Sequence, residues 1–527
     1  MIRDIKDLPQ GQYLSFESIA LPHHFQEHFA LLLTLEGQLL MLTQSQAHRT
    51  HLQFDLRRRL MALDKAHAWA FSGIHELEVS EDILKSVHAY RAPILQEEST
   101  SVEAAAWALI DQAVGAKASD IHIETRGPYA QVFFRVHGER LEQANISSKR
   151  ATEMCNVLYG VHADADNKGV TWDEKQLKEA GIEHHTSSGQ HVQLRLSSAP
   201  IHPAGNFHVV IRLLVMSQMT AQPLKSMGYD LLHLDLIHEM LLGSQGAVFL
   251  VGPTNSGKST ALQAFIEELY QHRGRSIKVI TVEKPVEYLI ESACQMGVSP
   301  FKRDWIDESS GSIYSKYVAA TLRQDPDVVM MGEVNDHDSA ENMKHLVLSG
   351  RKTLSTLHAY EAMALFARLR EMGVPPSVLY MRHFISGVIF QRLVPLLCLN
   401  CACAFQDAHQ RGLIANTTYE RVKRVGVRQL KHVKIRGLGC AECNHTGIVG
   451  RTVCAEVLVP DEVFLSHLRE GSDAQARLHW SAQSAWGRKG LGAGIIAHAV
   501  LKMHAGLIDP LDIERWIGPI VMETLGS

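Results

Sequence analysis

Residues 246–266 read GAVFLVGPTNSGKSTALQAFI, and this stretch decides the fold. Six apolar residues without a charge, GAVFLV, have the length and composition of a buried strand. Gly252-Pro253-Thr254-Asn255-Ser256-Gly257-Lys258-Ser259 then satisfies G-x-x-x-x-G-K-[ST]. Beyond it, Leu262, Phe265, Ile266 and Leu269 recur at three- and four-residue spacing, the period of a helix with one buried face. Strand, glycine loop and helix in that order form a phosphate cradle. The glycines let backbone N–H groups close around phosphate oxygens, and the helix N-terminus adds positive potential there. Gly252 to Thr260 are thus the expected nucleotide-binding residues. Lys258 is expected to reach the β- and γ-phosphates of ATP, and the Ser259 hydroxyl to hold Mg²⁺. A glycine-rich turn with an incidental lysine would not need the strand before it and the helix after it.

Working outward, three more short apolar runs follow: IKVITV from Ile277, DVVMM from Asp327 and KTLSTL from Lys352. Helical patterns separate them, which predicts a parallel sheet covered on both faces. In such sheets the carboxyl ends of the strands border the ligand crevice. Glu283 and Glu287 follow the first run, Glu333 the second and His358 the third. Glu333 is the candidate for orienting the attacking water or for the Mg²⁺ neighbourhood. His358 is placed to report on the γ-phosphate, and Glu287 joins them as a catalytic candidate. Any one of these alone would read as structural; four strand ends on one rim point to chemistry.

The remaining chain divides by pattern. Residues 1–95 read as a docking module, with two strands in ALLLTLEGQLLMLTQ around Glu36-Gly37 and helix-like spacing from Arg49. Residues 96–216 read as an α/β domain, with a helix at about 102–115 and alternating strands in SDIHIE, YAQVFFRVHGERL, HVQLRLSSAP and FHVVIRLL. Residues 217–228 are the expected linker and 229–395 the ATPase domain. A cysteine insert occupies 396–455 and a helical region 456–527.

Composition sets outer bounds. The 527 residues are 46% hydrophobic and 21% charged, with net charge −5 and pI near 6.7. That balance disfavours a general nucleic-acid binder, which carries a basic surplus. The N-terminus lacks an apolar signal core, and no run reaches the roughly 18 apolar residues of a spanning helix. The expectation is a cytoplasmic protein, peripherally associated with the inner membrane and without a transmembrane segment.

Cys398-x2-Cys401 and Cys440-x2-Cys443 form two C-x-x-C knuckles, with residues 402–439 between them. Four thiolates in this spacing suit tetrahedral Zn²⁺ in a structural site, because four sulfurs leave no open position. Cys403 is a spare, or replaces Cys401 if the knuckle shifts. A redox dithiol pair is the rival reading.

Taken together, the blocks resemble the secretion ATPases that drive type II secretion and type IV pilus assembly. From about residue 105 onward, ASDIHIE, GPTNSGKST, TVEKPVEY, LRQDPDVVMMGEVND, STLHAY, GVIFQRLVPLLC and GCAECNHTGIVGR occur in the family's order. The resemblance implies an α/β fold: a RecA-like ATPase domain preceded by a PAS-like domain, with a zinc-binding insert and a helical C-terminus. It also implies a homo-hexamer that clamps ATP between those two domains, with Arg195 and Arg212 brought onto the phosphates. The implied partners are an inner-membrane platform protein, which adds pilin or pseudopilin subunits, and a membrane-associated docking protein for residues 1–95. The insert and the long N-terminal module go with assembly rather than retraction. Lys284, Asn335, Arg351 and His137 depart from the family's pattern and suggest a divergent pilus-biogenesis branch, of type IVb or plasmid type. A nucleic-acid translocase and a nucleotide-binding scaffold that does not hydrolyse remain alternatives.

Overall fold

The computed structural model describes residues 11–14, 29–34, 38–43, 56–60, 73–79, 101–163, 172–216, 222–284, 286–298, 313–425, 430–443, 446–483 and 494–520. The chain forms two units. The first comprises Met1–Val215, Leu396–Lys423 and Arg428–Gly450, and the second comprises Met216–Pro395, Arg424–Val427 and Arg451–Ser527. Most of the cysteine insert, distant in sequence, therefore belongs to the N-terminal unit.

Within the first unit, β1 (Gly11–Leu14), β2 (Phe29–Thr34), β3 (Gln38–Thr43) and β4 (Gly73–Glu78) make one sheet in that order. β2 and β3 pair antiparallel, as the sequence between Ala30 and Gln44 leads one to expect, whereas β3 and β4 run parallel. Of the helix expected from Arg49, only residues 56–60 fall among the described residues, and they are helical. Arg59 there donates 3.0 Å to the Leu438 carbonyl of the insert.

A second sheet contains β5 (Ala118–Arg126), β6 (Tyr129–Val136), β7 (Glu139–Ser147), β8 (Lys178–His185), β9 (His191–Ile201) and β10 (Asn206–Val215), in the order β7-β6-β5-β10-β9-β8. Its strands alternate, as antiparallel sheets with one covered face do. Ile121, Ile123, Phe134, Val209 and Ile211 join a buried core with α1 (Val102–Gly115) and α2 (Ser148–Gly160). α1 starts where the sequence predicts, because the Ser101 hydroxyl accepts from the Ala104 N–H as an N-cap. The opposite parity puts Arg140, Arg135, Asp120, Arg212 and Arg195 in one cross-strand row. The insert is tied to this sheet by a buried ion pair, Arg436 to Glu139 at 2.8 Å.

In the second unit, β11 (Gly246–Val251), β12 (Val279–Glu283), β13 (Ala293–Gly297), β14 (Val328–Met331), β15 (Lys352–Leu357), β16 (Ile385–Leu397) and β19 (Ile448–Leu458) make a seven-stranded sheet. Between the last two lie β17 (Cys403–Ala404) and β18 (Lys434–Ile435), which pair antiparallel in the first unit. The large sheet's order is β13-β12-β14-β15-β11-β16-β19, and its first five neighbouring pairs are parallel. β11, β12, β14 and β15 are buried along their whole length, which explains why they read as continuous apolar runs. Around them lie α3 (Leu231–Leu242), α4 (Lys258–Arg273), α5 (Ile313–Thr321) and α6 (His337–Leu348). Residues 217–221 of the expected linker lie outside the described residues, and Leu224–Met227 form one helical turn closed by Gly228. After β19 the chain is helical at Glu462–Arg469, Asp473–Gln483, Ile495–His504 and Pro510–Trp516.

Candidate active site

β11 hydrogen-bonds between β15 and β16, with Val251 in register with Leu357 on one side and Phe390 on the other. One residue further along the rim stand Gly252, His358 and Gln391. At Gly252 a side chain is sterically excluded: a Cβ would lie 2.6 Å from the Gln391 carbonyl and 2.8 Å from Ser256 Oγ. Gly257 adopts a left-handed φ of 84°, which turns the loop into α4 at Lys258. The Gln391 side chain, fully buried in β16, fixes the loop from below. Its Nε2 donates 2.8 Å to the Ser256 carbonyl, and its Oε1 accepts from the Tyr229 hydroxyl.

Lys258 Nζ is folded onto its own loop, donating 2.9 Å to each of the Gly252 and Pro253 carbonyls. Burial brings its ammonium down to about 8, opposed first by the Glu333 carboxylate and then by Glu287. Both carboxylates thus act electrostatically on Lys258. Glu333 follows β14, and its Oε1 lies 3.2 Å from His358 Nε2 beyond β15. Their side chains are 38% and 49% exposed, so both remain open to a ligand. The turn carrying Glu333 is held by Thr356 Oγ1, which donates 2.8 Å to the Gly332 carbonyl, and by Gly332 N–H, which donates 2.9 Å to the Val282 carbonyl.

Not every rim acid faces the cradle. Glu283 is buried and accepts from Thr281 Oγ1 at 2.7 Å and Gln295 Nε2 at 3.0 Å; burial raises its pKa. It locks β12 to β13, while Glu287 is the acid of that segment whose charge reaches Lys258. Thr260, in the first turn of α4, lies 3.3 Å from the Tyr288 hydroxyl. Sequence reasoning missed Tyr314 on α5, whose hydroxyl donates 3.3 Å to the Val282 carbonyl and feels the charges of Glu333 and Glu283. It also missed Gln391, although a glutamine inside the apolar run GVIFQRLV is itself a signal for a buried hydrogen-bonding role.

Arg195 and Arg212 belong to the first unit, directly opposite each other on β9 and β10. Arg212 Nε donates 3.3 Å to Asp120, which also pairs with Arg135 at 3.8 Å. The departures have local explanations. His137 and Gly138 both take positive φ in the two-residue turn between β6 and β7, where a tight hairpin needs them. Asn335 precedes the N-cap Asp336 of α6, with its N–H donating 3.1 Å to Ser339 Oγ. Arg351 donates 3.0 Å to the Ser349 carbonyl before β15, and Lys284 is exposed after β12.

Cys398, Cys401, Cys440 and Cys443 converge with all sulfurs within 4.8 Å of one another. Three sulfur pairs measure 3.7, 3.8 and 3.9 Å. A tetrahedron with bonds of about 2.3 Å has sulfur–sulfur edges of about 3.8 Å, whereas a disulfide needs about 2.05 Å. The donor set therefore fits zinc. Cys443 Sγ accepts N–H groups from Cys440 at 3.1 Å and Gly447 at 3.2 Å. Asn400 donates 3.3 Å to Cys440 Sγ and heads the causes that bring that thiol down to about 6. Cys403 points elsewhere, 3.8 Å from the Cys401 carbonyl.

Residues 95–499 match the protein family described as type II/IV secretion system protein. The "Type II secretion system ATPase E" of Vibrio cholerae is 32% identical over 410 residues, covering 77% of this chain and 73% of that protein. The "Type II secretion system protein E" of Aeromonas hydrophila is 31% identical over 403 residues, 76% of this chain and 72% of its own length. Among solved structures, the Legionella pneumophila ATPase DotB superposes with a TM-score of 0.55 at 20% identity, covering 80% of this chain and 98% of DotB, a likeness of fold. No helix among the described residues is long and apolar enough to cross a membrane.

Proposed function

The chain belongs to the type II/IV secretion system protein family, a family of ATPases, and from that premise we propose that it hydrolyses ATP to power assembly of pilin or pseudopilin subunits. The observation that carries the proposal is the meeting of Lys258, Glu333 and His358 at one end of a parallel sheet. The N–H groups of the loop from Gly252 to Thr260 take the β- and γ-phosphates at the start of α4. Lys258 leaves the Gly252 and Pro253 carbonyls and turns to the phosphate oxygens. Glu333 orients a water in line with the γ-phosphorus and takes its proton. His358, 3.2 Å from Glu333, steadies that carboxylate and senses whether the γ-phosphate is present. Glu287 supplements the negative field that keeps Lys258 charged. Ser259 Oγ is the hard oxygen donor suited to Mg²⁺, which when bound would neutralise phosphate charge.

Six copies form a ring, and Arg195 and Arg212 reach the phosphates of ATP from the preceding domain. Residues 1–95 tether the ring to a membrane-associated docking protein at the inner membrane, and a platform protein receives the stroke. Residues 96–216, 229–395, 396–455 and 456–527 serve as the PAS-like domain, motor domain, zinc insert and helical region. Cys398, Cys401, Cys440 and Cys443 hold structural Zn²⁺.

Phosphate release from purified Lys258→Ala and Glu333→Gln tests the core of the proposal. Lys258→Ala is expected to lose nucleotide affinity. Glu333→Gln is expected to bind ATP but turn over about 10²- to 10⁴-fold more slowly, the usual range for a lost general base. Normal turnover by a folded Glu333→Gln protein would remove Glu333 from the mechanism.

A further inference from the structure

His238 on α3 meets Glu268 and His272 on α4, on the same helix that begins at Lys258 but at its far end. Glu268 and His272 are four residues apart, so they lie on one helix face. Both imidazoles aim Nε2 at one carboxylate oxygen: His238 lies 2.7 Å and His272 3.2 Å from Glu268 Oε1. The rings stand nearly perpendicular, with centroids 5.7 Å apart. All three ligand atoms lie within 4.8 Å of one another. We propose that His238, Glu268 and His272 form a divalent transition-metal site that straps α3 to the helix of the phosphate cradle.

Two imidazole nitrogens and one carboxylate oxygen suit Zn²⁺, Ni²⁺ or Co²⁺, with water in the open positions. Metal–ligand bonds of about 2.1 Å place neighbouring ligand atoms about 3.0–3.4 Å apart, so the present spacing needs only side-chain rotation. On binding, each imidazole ligates through an Nε2 that carries no hydrogen, so any hydrogen that either Nε2 directs at Glu268 Oε1 moves to Nδ1 or leaves to solvent. The framework is already fixed independently: Lys352 Nζ donates to the Met240 carbonyl and Arg273 to the Leu242 carbonyl, both at the end of α3. Little ordering is therefore left for the metal to enforce. The site differs from the cysteine cluster in ligands, unit and hardness, so the two metals are separable.

The test uses the full untagged chain with its cysteine site filled by Zn²⁺, titrated with Ni²⁺ in equilibrium dialysis with elemental analysis. Wild type is expected to take up one tight Ni²⁺ per chain while keeping its Zn²⁺, and Cys443→Ser is expected to retain that Ni²⁺. His238→Ala and Glu268→Gln should weaken the tight equivalent by about 100-fold, the upper end of what even an outer-shell loss does. His272→Ala should do the same; its side chain is 53% exposed, so the variant keeps its fold. Saturating Ni²⁺ should raise the melting temperature of wild type but not of His272→Ala. Equal Ni²⁺ affinity in wild type and His272→Ala, or no tight Ni²⁺ at all, would reduce the trio to an ion pair and overturn the proposal.

Discussion

The phosphate cradle and the cysteine clamp are opposite solutions to holding a ligand. The cradle draws its groups from several strand ends between Gly252 and Gln391, and its central cation, Lys258, is satisfied by its own loop. Glu333 and His358 lean on each other and stay half exposed. Every contact there can be exchanged for one to a ligand and restored afterwards. The clamp takes all four sulfurs from two knuckles and turns them on one another at tetrahedral spacing, supported by backbone N–H groups. A metal in it would saturate the donors and leave no exchangeable position. Openness serves turnover and closure serves permanence, even though both sites use short loops that follow strands.

That contrast breaks most visibly if the clamp is emptied. Structural zinc in small domains is worth about 10 kcal/mol or more, because ligand binding and local folding are one process. Chelation or Cys443→Ser is therefore expected to expose the amides of residues 396–450 to rapid hydrogen exchange, while the cradle keeps its protection and its affinity for nucleotide. Equal loss of protection around Gly252–Thr260 would show that the clamp supports the cradle and that the two are not independent. The buried Arg436–Glu139 pair gives a further readout, since loosening should spread to β7 through it.

Much of the ATPase unit was legible because its signals are local. GAVFLV, KTLSTL and their companions are buried on both faces, so apolar runs alone mark them. Glycine positions in the loop are dictated by backbone contacts that no other residue survives, as at Gly252. The four cysteines carry their spacing with them. What stayed hidden depends on long-range geometry. Nothing in the sequence says that the insert joins the first unit, because its anchors, Arg436 with Glu139 and Leu438 with Arg59, are separated by hundreds of residues. Glu283 and Glu287 look equivalent in TVEKPVEY, yet one is consumed by Thr281 and Gln295 while the other acts on Lys258. Gln391 stood in plain view within a quoted motif, but its two partners, Ser256 and Tyr229, are far along the chain.

Gln391 also sharpens the comparison, since it is a rigid support beneath an otherwise exchangeable loop. Gln391→Leu fills the same space but leaves the Ser256 carbonyl and the Tyr229 hydroxyl buried without their partner. One such group costs about 1–3 kcal/mol. If about 2 kcal/mol of that appears as disorder of the loop, nucleotide Kd rises about 30-fold, and kcat at saturating ATP falls much less. Tyr229→Phe should produce only a fraction of the effect, because the bond to Ser256 survives. A lowered kcat with unchanged Kd would mean that Gln391 acts on the chemical step and not on the shape of the cradle.

The smallest effect tests the exchangeability of Lys258 directly. Burial holds its ammonium at about 8 in the free protein, against 10.5 in an unfolded chain. Between those values the unfolded chain carries the extra proton, so this group makes folding stability rise with pH. Nucleotide binding has the opposite sign. A bound triphosphate favours the ammonium and raises its pKa, so above about pH 8 binding must take up a proton. Affinity should then fall by up to about tenfold per pH unit from pH 8 upward, with no contribution from this group well below it. Titration calorimetry at pH 9 in two buffers of different ionisation enthalpy is expected to report uptake approaching one proton for wild type and none for Lys258→Ala. Uptake that persists in Lys258→Ala would assign the proton to another group and leave Lys258 permanently charged, a fixed element of the cradle instead of the part that moves.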